Sequence, residues 1–254
     1  MYTSPTQPIL PDGKSLVEVG YVEHKNRSPS VRLYIKNQPL LNQSAQSHQT
    51  LTIYIEGDGA PWIAKEFAPA NPTPRYAIGA QLANQDPSPL VAYLGRPCQF
   101  LDDEQLQSCD PQLWTNGRFS KQALDMGNSA IDLLINEIHS QQKLPITSIH
   151  LVGYSGGGAY AALLASRRSD VSCLVTVAAP LDLDVWVQLH RVAPLSTSLN
   201  PATPMPQLTN IIQTHWYGAK DRVVPPQAIG LYEKHNFSSR TLMMVLPEAN
   251  HVQP

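Results

Sequence analysis

The chain has 254 residues, long enough to bury a large core as a single α/β domain without help from metal or disulfides. Only 15% of its residues are charged, against roughly 25% in an average soluble domain, and the formal net charge is −2. That balance excludes the basic footprint of a nucleic-acid or anionic-membrane binder, and no apolar run reaches the ~18 residues that a membrane span needs.

Residues 1–13 hold neither a basic n-region nor an apolar h-region, so the sequence as it stands reads as soluble with no visible export signal. Residues 15–24 and 30–36 alternate apolar and polar side chains, which predicts two antiparallel strands at a sheet edge. After a polar stretch at 37–49, the β-branched run 50–56 predicts a strand that ends in Gly57-Asp58-Gly59. A short helix over 74–83 with Pro74 at its start and a buried strand over 90–94 follow. Cys98 and Cys109 lie eleven residues apart in a polar loop and are either two free thiols or a small disulfide, which would favour an oxidising compartment. Cys173 reads as a buried thiol in an apolar strand.

Residues 119–142 carry the strongest helical pattern, with Ser120 as cap and a broad apolar stripe from Ala123 to Ile138. Then come a strand over 148–153, an alanine-rich helix over 157–168 and a strand over 171–178. A strand over 211–216, a helix over 226–235 and a last strand over 241–246 complete the pattern. Period-2 and period-3.6 segments thus alternate, which predicts one α/β domain over 1–254: a mostly parallel sheet with helices on both faces. Several of the 23 prolines fall in connections, which they stiffen. The segment at about 183–208, rich in Pro, Ser and Asn, reads as a lid-like insert.

Within this frame Gly153-Tyr154-Ser155-Gly156-Gly157 joins a buried strand to a helix. Gly-x-Ser-x-Gly is a weak pattern alone. At a strand-to-helix turn it predicts a nucleophilic serine, Ser155, on a sharp bend with a helix N-terminus behind it. The plainer alternative is an anion-binding or close-packing turn, although no lysine follows to make a phosphate-binding loop. A serine hydroxyl needs a base, and the base needs an orienting carboxylate. Asp221 follows the strand at 211–216 and His251 follows the last strand, giving the order Ser, Asp, His. Asp182, also after a strand, ranks second as the acid. His150 and His215 lie within strands, and His24, His48, His139 and His235 fall in peripheral elements.

An oxyanion needs two backbone N–H donors. Gly156, the residue after serine, supplies the first; the loop after the 50–56 strand supplies the second, from Asp58 or alternatively Gly57. Carboxylates oppose negative charge, so Glu56 and Asp58 are expected to turn away onto backbone amides or Arg96; a cation site at these two acids is the lesser reading.

With these parts in place, the sequence resembles the α/β-hydrolase superfamily over nearly its whole length. More narrowly it is similar to bacterial α/β hydrolases of unassigned substrate. The shared features are Ile55-Glu56-Gly57-Asp58-Gly59, Tyr93-Leu94-Gly95-Arg96-Pro97-Cys98, Trp114-Thr115, Arg118-Phe119-Ser120, the Ser155 turn and Ser198-Leu199-Asn200-Pro201. The resemblance implies the α/β-hydrolase fold, no metal and no cofactor. Such proteins are often exported or lipid-anchored, so by resemblance a periplasmic or anchored location stands beside the missing signal. The chain ends three residues after His251, short of a closing helix.

The expected activity is hydrolysis of a small-molecule carboxylic ester through an acyl-enzyme. A peptidase or amidase on the same triad, and a non-catalytic binding protein on this scaffold, are the alternatives. Trp62, Trp114, Arg118, Trp186 and His190 are candidates to line the substrate pocket. Nothing in the sequence sets the oligomeric state.

Overall fold

The β-branched and apolar runs of this chain gather into one sheet. A computed structural model describes residues 6–8, 10, 17–23, 29–35, 49–61, 67–142 and 145–252. Its strands are β1 (Val17–Glu23), β2 (Pro29–Ile35), β3 (Gln49–Ile55), β4 (Val91–Leu94), β5 (Ile146–Tyr154), β6 (Val171–Val177), β7 (Ile212–Gly218) and β8 (Thr241–Leu246). They pair in the order β1-β2-β4-β3-β5-β6-β7-β8. β2 runs antiparallel to both β1 and β4, while β4, β3, β5, β6, β7 and β8 are parallel neighbour to neighbour. Parallel neighbours require crossovers, and the helical segments supply them. Most of the polar stretch at 37–49 lies outside the described residues.

The helices are α1 (Ile78–Gln85), α2 (Asp103–Leu106), α3 (Lys121–Gln142), α4 (Gly156–Ala165), α5 (Leu183–His190) and α6 (Leu231–Asn236). The main core lies where α3 and α4 cover Ile53, Ile55, Ile149, Leu151 and Leu174. Every residue of α4 is buried, and its glycines and alanines let the helix sit close against the strands. On the opposite face α1 packs over β3 and β4, where Ala80, Ala83, Tyr34, Val91, Tyr93 and Phe100 form a second cluster.

Ser120 caps α3 as expected, accepting from Ala123 N at 3.2 Å. Three other helical boundaries differ from the sequence expectation, each for a tertiary reason. The helix expected from Pro74 starts four residues later, because the Glu56 side chain reaches across from the end of β3 and takes Gly79 N at 3.2 Å. The helix expected over 226–235 is split at Gly230 into a 3-10 turn (Pro226–Ile229) and α6. Gly230 has φ +46° and sits against the Asp182 carboxylate, which accepts from Leu231 N at 2.9 Å. The insert at 183–208 is not irregular throughout: Asp182 accepts from Asp184 N and Val185 N and starts α5. Cys98 and Cys109 are disulfide-bonded, and Cys173 is free.

His215 lies within β7, as expected, and is fully buried there. It contacts Thr176 Oγ1 at 2.8 Å and stacks on Phe237. Burial disfavours the imidazolium and pushes its pKa down from 6.5 to about 3. The unfolded chain therefore binds a proton, between these two values, that the folded chain refuses. Stability is full above about pH 6.5 and falls as the pH drops toward about 3. Urea unfolding at several pH values is expected to show a shallower slope across this window for His215→Gln than for the native protein.

Candidate active site

The three parallel strands β5, β7 and β8 end at one edge of the sheet, and each delivers one polar residue there. β5 delivers Ser155, whose backbone has φ 52° and ψ −129°. This left-handed bend is costly for a residue with a side chain, and the turn is held by Ser155 N donating to Val177 O at 2.8 Å. Glycine is required around it. A Cβ on Gly157 would overlap the carbonyl oxygens of Ile55 and Glu56, and one on Gly153 would overlap Gly157 itself.

His251, after β8, places Nε2 3.0 Å from Ser155 Oγ. Its Nδ1 stands 2.8 Å from Asp221 Oδ2. Asp221 is buried, and its other oxygen accepts from Val223 N and Val224 N, both at 2.8 Å. Those two amides fix the carboxylate, which in turn fixes the imidazole. Tyr154 adds a second hold on the histidine loop by donating from its hydroxyl to His251 O at 2.8 Å. Sequence reasoning missed this contact, since it joins residues 97 positions apart.

Asp182 is occupied elsewhere. Its oxygens accept from Asp184 N, Val185 N, Asn200 Nδ2 and Leu231 N, and it joins α5 to α6. The rival acid is thus a cap and a cross-brace.

The two acids after β3 have separate tasks. Glu56 is buried and accepts from Gly57 N at 2.8 Å and the Tyr93 hydroxyl at 2.8 Å, besides Gly79 N. Burial raises its pKa, against the lowering effect of these donors. The Gly57 N–H, the alternative expected oxyanion donor, is thus engaged by Glu56. Asp58 turns its carboxylate to Arg96 Nη1 at 2.9 Å and to Arg118 Nε at 2.8 Å. Both arginines are buried, and the Arg96 guanidinium lies over the Tyr160 and Phe119 rings at 4.2 and 5.0 Å. Among the described residues, Asp58 N and Gly156 N donate to no acceptor. Gly156 N is the first amide of α4 and so lacks an intrahelical partner.

These groups open into a cleft of about 420 Å³. Ser155, His251, Gly156 and Asp58 meet Pro180, Leu183, Trp186, Val223 and Val224 along an apolar wall, and Arg75, Tyr76, Arg118 and Phe119 also line it. The candidate pocket residues therefore divide. Trp186 lines the cleft, with Nε1 donating to Val223 O at 2.9 Å. His190 packs tilted against Trp186 at 4.8 Å and contacts the same carbonyl, but does not itself line the cleft. Trp114 is a core residue, buried under the loop before α3, and does not line the cleft. Trp62 lies outside the described residues, as do His24 and His48. Arg75 and Tyr76 carried no sequence signal; they reach the cleft only because the loop before α1 folds over the end of β3. Among the described residues no group of three or more potential metal ligands converges. No helix of the described residues is long and apolar enough to cross a membrane.

No family model matches this chain, and no curated protein matches it. Solved structures do. A 2,6-dihydroxy-pseudo-oxynicotine hydrolase superposes with a TM-score of 0.56 at 12% identity over 94% of this chain, which spans 62% of that hydrolase's length. An α/β hydrolase enzyme from a Medee basin deep-sea metagenome library gives a TM-score of 0.57 at 13% identity, covering 93% of this chain and 83% of the other. An esterase from Pyrococcus furiosus gives 0.54 at 11% identity, covering 100% and 91%. At such identities the likeness is one of fold.

Proposed function

We propose that this chain, which has the α/β-hydrolase fold, is a serine hydrolase that cleaves a small carboxylic ester through an acyl-enzyme. The observation that carries the reading is the continuous relay from Ser155 Oγ through the two nitrogens of His251 to Asp221. His251 Nε2 takes the hydroxyl proton as Ser155 Oγ attacks the substrate carbonyl. The oxyanion forms between the unengaged N–H groups of Gly156 and Asp58, at the positive end of α4. Asp221 keeps the proton of neutral His251 on Nδ1, so that Nε2 faces serine as a base, and then stabilises the imidazolium. His251 returns its proton to the departing alcohol oxygen. Water, activated by the same Nε2, then splits the Ser155 ester and releases the acid. No step draws on a metal or cofactor.

The apolar wall of Pro180, Leu183, Trp186 and Val224 suits an acyl or alcohol chain of modest size. A fluorophosphonate probe, which reacts with activated serines, tests the proposal. The expected result is one adduct, mapped by mass spectrometry to Ser155 and absent from Ser155→Ala. Folded protein that takes no label overturns the enzyme reading in favour of a binding protein. Matched ester and amide substrates then separate esterase from amidase.

A further inference from the structure

The serine mechanism uses Asp58 for its backbone N–H and leaves the cluster around its side chain unexplained. Two guanidinium groups, Arg96 and Arg118, share one carboxylate, so the cluster carries a surplus positive charge. Arg96 acts as an anchor: it bonds Asp58 and Arg118 O and is held over two rings, with its Nε sealed from solvent. Arg118 differs. Its side chain is only 4% exposed, yet the residue lines the cleft. Nε faces Asp58 and Nη1 donates to Thr115 O at 2.9 Å. Nη2 donates to no acceptor among the described residues and, unlike Nε, is not sealed from solvent. The cleft is the opening that Arg118 borders. A buried guanidinium with a spare N–H on a substrate cleft is an acceptor site awaiting its acceptor.

The site is also close to the chemistry. The Asp58 carboxylate that touches Arg118 lies against Gly156, so Arg118 is one side chain removed from the residue beside Ser155. Glu56 borders the same cleft, but its oxygens accept from Gly57 N, Gly79 N and the Tyr93 hydroxyl. A neutral alkyl ester would leave the Arg118 N–H desolvated and unpaired, a cost that selects against it. We infer that the preferred substrate is an ester that also carries a carboxylate a few bonds from the scissile carbonyl, and that Arg118 recognises that carboxylate. The inference rests on the serine hydrolase reading of the same cleft.

The test compares matched pairs of esters on the native protein. One arm places the carboxylate in the acyl part: p-nitrophenyl hemiglutarate against p-nitrophenyl valerate. The other places it in the leaving group: a carboxyphenyl butyrate against phenyl butyrate. The expected result is a kcat/KM at least about tenfold higher for the anionic member of one arm. Arg118→Gln is expected to erase that preference, and Arg118→Lys, which keeps the charge, to retain part of it. Glutarate is expected to protect Ser155 from the fluorophosphonate while neutral glutaramide does not, a readout that needs neither turnover nor a variant. Equal rates in both arms, or no protection by glutarate, overturn the inference even when Ser155 labels. Absence of labelling overturns the hydrolase reading instead, so the two failures are distinguishable.

Discussion

Ser155→Ala is expected to lower kcat by about a millionfold, to the residual level that binding and the oxyanion donors support alone. Asp221→Asn is expected to cost about 10⁴-fold, because an amide at that position favours the wrong imidazole tautomer and leaves Nε2 protonated toward serine. Neither change needs to unfold the protein. Ser155 Oγ bonds only His251 among the described residues, and an asparagine oxygen can still accept from Val223 N and Val224 N. Asp182→Ala is the control. It strips three backbone N–H groups of their acceptor and removes one of two acceptors of Asn200 where α5 and α6 meet, so the expected loss is in stability, about 1–3 kcal/mol, with kcat per folded molecule unchanged. Active-site titration gives the fraction folded and competent, and thermal unfolding gives the stability. Loss of kcat in folded Asp182→Ala, with retention in Asp221→Asn, would reverse the assignment of the acid.

Gly156→Ala is expected to remove about 10²–10³-fold from kcat with a much smaller change in KM. A Cβ on Gly156 would fall within the contact radius of both Asp58 oxygens. Two buried arginines hold those oxygens, so the carboxylate cannot rotate away without breaking an ion pair. The strain must move either the Asp58 loop or the first turn of α4. Those two segments carry the two proposed oxyanion donors, which the reaction needs aimed at one point. Since the donors serve the transition state more than the ground state, the damage should appear in kcat. Pre-steady-state acylation rates with an activated ester check this. A Gly156→Ala enzyme with native acylation would place the oxyanion donors elsewhere.

Much of this site was legible in the residues. Gly153-Tyr154-Ser155-Gly156-Gly157 sits between an apolar run and an alanine-rich run, and that local pattern suffices to put serine at a strand-to-helix turn. Asp221 and His251 follow strands in the same way, and parallel strands deliver their ends to one edge. Local periodicity and chain order therefore bring the three residues to one edge without further information.

What the sequence by itself determined was the alternation of strands and helices and the candidates at the strand ends. What only the tertiary structure decided was how side chains distant in sequence share space. Gly57 N is engaged because Glu56 folds back on it under α1, where its carboxylate also takes Gly79 N across 23 residues. Asp182 became a brace because α6 brings Leu231 N to it across 49 residues. Trp114 joined the core, while Arg75 and Tyr76, with no motif to mark them, reached the cleft. The reason is common to these cases. Periodicity encodes which face of an element is apolar, an i to i+4 property. The partner that satisfies a buried carboxylate or guanidinium is set by packing between elements, which no local spacing records.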